Sequence, residues 1–238
     1  DWGVVQGRTY SVTFKDGIYT ADINGDIQKV KLPDNNKEEE VSITFTEDAN
    51  SKVQKIVNLS MARITAYVKG SEILKDKEQI LQKLGKIETK IAKMDDTPAL
   101  YKEGTMYIGR SYLDIVCEWM ICHELIHAIA DITNGGVENE SYAYYQFNEG
   151  LTDMITYTLN PEIPEGYISG YAQYYDFIDL YVGCFGEDAI KAYFYGYDEL
   201  WKTVGRAEFD FWVYSLENIY NNEVAMVSVN NFLNKWAQ

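Results

Sequence analysis

The sequence predicts an α+β chain in which a small, mostly antiparallel sheet at the N-terminal side leads into a largely helical region. Three observations carry this. Residues 1 to 48 read as short strands between turn signals, with Tyr10 to Phe14 alternating. From residue 52 the apolar positions recur at three and four, the spacing of one helix face. A strand-like run at 104 to 110 then precedes a long apolar stretch, Leu113 to Asp131, which holds both histidines of the chain.

Tyr10 to Phe14 alternates and ends at Lys15-Asp16-Gly17, with glycine where a turn needs a positive φ. Ile18 to Ile23 follows and stops at Asn24-Gly25. Ile27 to Leu32 and Val41 to Phe45 read as two more strands, separated by the polar loop Pro33 to Glu40. Residues 1–50 are thus expected to form a β-rich subdomain and residues 51–238 a mostly helical one. Lys52 to Lys69 carries one apolar stripe, Val53, Ile56, Val57, Met61, Ile64 and Val68. Ile80 to Met94 repeats the pattern with Ile80, Leu81, Leu84, Ile87, Ile91 and Met94, and its lysines and glutamates predict an amphipathic surface helix. Gly104 to Arg110 reads as a short strand. Leu113 to Asp131 is apolar on nearly every side, which predicts a buried helix, with Gly135-Gly136 as its stop. Gly166 to Val182 and Glu187 to Tyr197 are further helices, and Glu208 to Ala237 gives one or two more.

At 238 residues and 46% hydrophobic, the chain has enough apolar material for one large domain or two small ones. With 21 basic and 37 acidic residues the net charge is −16, which repels nucleic-acid backbones and anionic membranes. No apolar run reaches the length that crosses a bilayer. The chain begins at Asp1, and the expectation is a processed protein, secreted or anchored at the cell surface after loss of a targeting peptide. Cys117, Cys122 and Cys184 are too few and too sparse for a disulfide framework and read as buried free thiols.

The chemistry concentrates in His123-Glu124-Leu125-Ile126-His127. On a helix, positions four apart share a face, so two imidazoles aim at one point. Glu124 is rotated about a third of a turn away and reaches a water bound there. Two neutral imidazoles leave a zinc ion under-coordinated, and a carboxylate completes the set. Asn148-Glu149-Gly150-Leu151-Thr152-Asp153 supplies one. If it lies on a second helix, Glu149 closes the coordination and Asp153 accepts the free N–H of one imidazole, fixing its tautomer.

The two motifs together resemble the gluzincin branch of the zincin metallopeptidases, the branch that includes thermolysin. The resemblance covers roughly residues 105 to 160. It implies His123, His127 and Glu149 as ligands of Zn2+, Glu124 as general base and Asp153 as the outer partner of a ligand. It implies a zincin-like fold and hydrolysis of a peptide or protein substrate by attack of a zinc-bound water. The alternative is a zincin-like domain without turnover, acting as a binding or structural module. The resemblance also implies an edge strand before the active-site helix, which makes the Tyr107 and Ile108 backbones candidates for substrate contact. Thermolysin-like enzymes use an additional histidine to stabilise the transition state, and this chain has none. Tyr142, Tyr171, Tyr174, Arg110 and Arg206 are the candidate donors that stand in.

Overall fold

The computed structural model describes residues 10–15, 18–23, 26–31, 42–44, 49–94, 96–134, 142–159, 171, 174–217 and 223–236. It is a mixed α+β structure in which a small antiparallel sheet precedes a mostly helical region. The first four strands are β1 (Tyr10–Lys15), β2 (Ile18–Ile23), β3 (Asp26–Lys31) and β4 (Ser42–Thr44). They form one antiparallel sheet in the order β3-β2-β1-β4, with Tyr10 opposite Ile23 and Ile18 opposite Lys31. The polar run 33–40 and the Gly135-Gly136 stop lie outside the described residues.

Helix α1 (Ala49–Gly70) buries the predicted stripe, with Ile64 and Val68 fully inaccessible. Ile80 to Met94 is a correction. Helix α2 (Lys77–Leu84) ends at Gly85, and Glu88–Ala92 is a strand, β5. The i, i+4 spacing of Ile87 and Ile91 imitates a helix face. Yet Thr89 and Ile91 sit on the more covered side of β5 while Glu88 and Lys90 are exposed, a period of two. Parallel pairing with a later strand outweighs the local helical pattern.

Strands β6 (Ala99–Lys102) and β7 (Thr105–Gly109) form a hairpin, and the second sheet has the order β5-β7-β6. Strand β6 is absent from the sequence expectations. Its turn is Glu103-Gly104 with φ of 48° and 77°, the two positive values that a tight two-residue hairpin needs. The placement of β7 is the second correction. It is paired on both sides, so the Tyr107 and Ile108 backbones are committed to β5 and β6. The edge beside the helices is β6. Gly109 N–H donates to Pro98 O, so Pro98 faces β7, and alternation turns the amides of Ala99 and Tyr101 outward. A methyl group at Gly109 would lie 2.7 Å from Thr97 O and from the Tyr112 ring, so only glycine closes this bend.

A 3-10 turn (Arg110–Tyr112) leads into α3 (Glu118–Asn134), which begins later than the apolar run does. Residues 113–117 instead form a connection that Lys52 of α1 holds by donating to the carbonyls of Leu113 and Asp114. Arg63 of α1 pairs with Glu118 at 2.7 Å, and Glu118 also suits the positive end of the helix dipole. Helix α3 packs against α1, α2, α4 (Tyr142–Leu159), α6 (Glu187–Tyr195) and β6. Ile121, Leu125, Ile126 and Ile129 are fully buried, each contributing about 1.5–3 kcal/mol of apolar burial. Helices α5 (Tyr175–Phe185), α7 (Asp198–Val204), α8 (Arg206–Glu217) and α9 (Glu223–Trp236) complete the region. Stacked Trp212 and Phe232 join α8 to α9. Among the described residues no helix is long and apolar enough to cross a membrane. The three cysteines are free, but only Cys122 is fully buried; Cys117 and Cys184 are partly exposed, a further correction.

Candidate metal centre

Two helices build the site. Along α3 the ring of His123 lies between Trp119, one turn before it, and His127, one turn after, with ring centroids 5.6 and 4.8 Å away. Helix α4 crosses α3 and presents Glu149 to both imidazoles. Gly150 lets α5 approach α4 closely, since a methyl group there would sit 3.2 Å from Ile178. Asn148 is held by the Tyr197 hydroxyl, and Thr152 shares a hydrogen bond of 2.6 Å with the Tyr193 hydroxyl. Glu149 is therefore braced from the residues on both sides of it.

The three side chains converge. His123 Nε2 lies 3.0 Å from Glu149 Oε2 and 3.1 Å from His127 Nε2, and His127 Nε2 lies 3.3 Å from the same carboxylate oxygen. A tetrahedral ion with bonds of about 2.0–2.1 Å has ligand-to-ligand edges of roughly 3.3 Å, so the triangle has the dimensions of one face of such a site. The donor chemistry agrees. His123 Nδ1 is 2.7 Å from Asp153 Oδ1, which places the proton of a neutral ring on Nδ1 and leaves Nε2 as a lone pair. That lone pair meets a second imidazole nitrogen and a carboxylate, and a cation is what resolves such a convergence. The described residues thus hold a largely buried His–His–Glu cluster able to coordinate a metal ion.

Without metal, protons take that role. Burial opposes charge on His123, but Asp153 and Glu149 against its two nitrogens, and the field of Glu124, push its pKa up to about 10. Burial raises the Glu149 carboxyl, and His127 and His123 outweigh it, holding Glu149 well below the usual carboxylate range.

The structure extends the site beyond the sequence-predicted residues. Asp153 is fully buried, and its other oxygen accepts a hydrogen bond of 3.0 Å from the Tyr175 hydroxyl. The contacts His123–Asp153–Tyr175 fix the ring from behind. Glu124 Oε2 accepts the Tyr101 backbone N–H at 2.6 Å, which links the edge strand β6 to the residue beside the cluster. Of the candidate donors, Tyr171 stacks on His123 at 6.5 Å between centroids. Tyr145, four residues before Glu149 on α4, lies within hydrogen-bonding reach of both Glu149 and Tyr171. Tyr174 is buried against Gly150. Arg110 is exposed on the 3-10 turn, and Arg206 pairs with Asp210 and covers the Trp201 ring. The Tyr142 side chain lies outside the described residues. The helix spacing of Tyr145 and Glu149 was a readable signal for Tyr145. Tyr101 and Tyr175 carry none, because their partners are distant in the chain.

Asp153→Ala is expected to weaken zinc binding ten- to a hundredfold, the usual loss when an outer partner of a ligand goes. Tyr175→Phe should lower it by a smaller factor, roughly threefold, since the carboxylate stays. Competition against a chromophoric chelator measures both. Unchanged affinity in Asp153→Ala would remove that residue from the site.

No family model, curated protein or solved structure matches this chain. The functional reading therefore rests on the site itself.

Proposed function

We propose that the chain is a zinc-dependent metallopeptidase of zincin-like fold, with residues 51–238 as its catalytic domain and residues 1–50 as a β-rich accessory unit. The observation that carries the reading is Glu124 beside a His–His–Glu triangle of zinc-site dimensions, facing an edge strand with outward backbone amides. A site that only binds metal has no need of a carboxylate next to the cluster that is not one of its ligands.

His123, His127 and Glu149 would hold a zinc ion, which would supply a Lewis acid and lower the pKa of water toward neutrality. Glu124 takes the proton of the attacking water and returns it to the leaving amine. Asp153 and Tyr175 keep the His123 ring in its tautomer. The outward backbone groups of Ala99 and the carbonyl of Tyr101, whose amide Glu124 holds, align an extended peptide by strand addition. Tyr171 or Tyr145 serves as the donor to the developing oxyanion in place of a histidine.

A second reading has its own observation. The amide of Tyr101 already occupies Glu124 Oε2 at 2.6 Å, so one of its two carboxylate oxygens is committed to the edge strand rather than turned to a water. On that reading the chain is a metal-binding module without turnover. Elemental analysis of the purified protein, with quenched peptides as substrates, separates the two. The expected result is one zinc per chain and cleavage that a chelator stops and added zinc restores. Bound zinc without cleavage of any library peptide would leave the module, and cleavage indifferent to chelation would end both.

A further inference from the structure

A cavity of about 450 Å³ opens one helical turn beyond the metal cluster, a size suited to a small ligand or one substrate side chain. Asp131 follows His127 by four residues on α3 and so continues the line of His123 and His127 into that cavity. Tyr101 forms the partition. Its amide donates to Glu124 on one side, and its hydroxyl donates to Asp131 Oδ2 at 2.9 Å on the other while accepting from Gly104 N–H at 3.2 Å. Ile87 and Ile132 supply apolar wall. Lys83 and Lys86, from the end of α2 and the turn after it, supply the charge.

The cavity lies in the basic stretch of an otherwise acidic chain, since residues 52–102 carry 11 of its 21 lysines and arginines. On a protein of net charge −16, two lysines line one cavity, and neither has an ion-pair partner among the described residues. The lining sets two lysines against one acid, Asp131, one of whose oxygens accepts the Tyr101 hydroxyl, and so is cationic by one formal charge. A carboxylate on an aliphatic stem fits that lining, with the stem against Ile87, Ile132 and the Tyr101 ring and the charge between the lysines.

Resting on the peptidase reading, we propose that this cavity is a specificity subsite for a carboxylate close to the scissile bond. The carboxylate comes either from a glutamate side chain or from the C-terminus of a short peptide. Both place a mobile anion beside Lys83 and Lys86 while the backbone of the same substrate lies along β6. The preference is electrostatic and solvent-facing, so it is modest and falls with salt.

The test uses matched peptides that carry Glu, Gln or Lys at each position flanking the cut, each made as a free acid and as an amide. The expected result is a kcat/KM ratio of Glu over Gln of about three- to tenfold at one position, shrinking at high salt. In Lys83→Gln/Lys86→Gln the ratio falls to near one, and in Lys83→Glu/Lys86→Glu it turns in favour of Lys. A ratio that follows the free acid rather than the internal Glu assigns the subsite to the C-terminus. Equal turnover of Glu and Gln peptides at every position and at both termini overturns the subsite and leaves the peptidase reading standing. So does a preference that survives both double variants. If the wild-type protein cleaves none of the peptides, the peptidase reading fails, and fluorescence anisotropy of the same labelled peptides decides the subsite. Tighter binding of the acidic peptide that both double variants abolish supports it, and equal binding overturns it.

Discussion

On the proposed peptidase reading, Glu124→Gln is expected to keep the metal and lose nearly all peptide cleavage, a fall of roughly a hundred- to ten-thousandfold in kcat, the usual worth of a positioned acid–base group. The substitution is close to isosteric. A glutamine carbonyl oxygen still accepts the Tyr101 amide, so the edge strand stays in place. The triangle of His123, His127 and Glu149 does not include Glu124, so zinc content should match that of the wild type. What disappears is the ability to take a proton from water and hand it to the departing amine. The experiment pairs elemental analysis with turnover of one quenched peptide. Cleavage within tenfold of wild type would falsify the assignment of Glu124 as base. Loss of zinc along with activity would instead mean that Glu124 helps to hold the site together.

Glu149→Gln has the larger effect on the metal. It removes the anion of the triangle and leaves two imidazoles, so affinity should fall by more than the hundredfold that outer-partner losses reach. The pH dependence follows from the same atoms. In the metal-free protein His123 is protonated until the pH approaches about 10, so a metal ion must displace that proton. Apparent zinc affinity should rise about tenfold per pH unit across the neutral range, with close to one proton released per ion bound from His123. Titration calorimetry at pH 8 in buffers of different ionisation enthalpy reads the release directly. Heats independent of the buffer would sink the claim. Stability follows with the opposite sign on the metal-free chain. The raised His123 pKa contributes stability that is fully present below the ordinary imidazole value of 6.5 and is lost as pH rises through about 10. The lowered Glu149 pKa contributes stability present above the ordinary carboxyl value and lost as pH falls. Metal-free protein is therefore expected to melt highest between about pH 4.5 and 6.5 and at lower temperature on either side of that window.

The parts that were legible in the sequence are those governed by local geometry. Positions four apart on a helix put His123 and His127 on one face, and the same rule carries Glu149 and Asp153 on α4. The turn signals at Asp16-Gly17 and Asn24-Gly25 bracket β2 between residues 18 and 23, as observed. The helix rule also misled. Ile87 and Ile91 match a helix face, but Gly85 ends α2 and pairing with β7 draws Glu88–Ala92 into the second sheet. Strand β6 is too short for periodicity to reveal, and its hairpin turn, Glu103-Gly104, is a weaker cue than Asp-Gly.

The sequence by itself determined that His123 and His127 share one helix face and Glu149 and Asp153 another, because spacing along a helix is a property of the helix alone. Only the tertiary structure decided that α4 crosses α3 with Glu149 some 3 Å from both imidazoles, that β6 rather than β7 is the open edge, and that Tyr101 and Tyr175 complete the surroundings. The physical reason is range. Strand order and helix crossing are set by contacts between residues tens of positions apart, and no local pattern encodes such a partner.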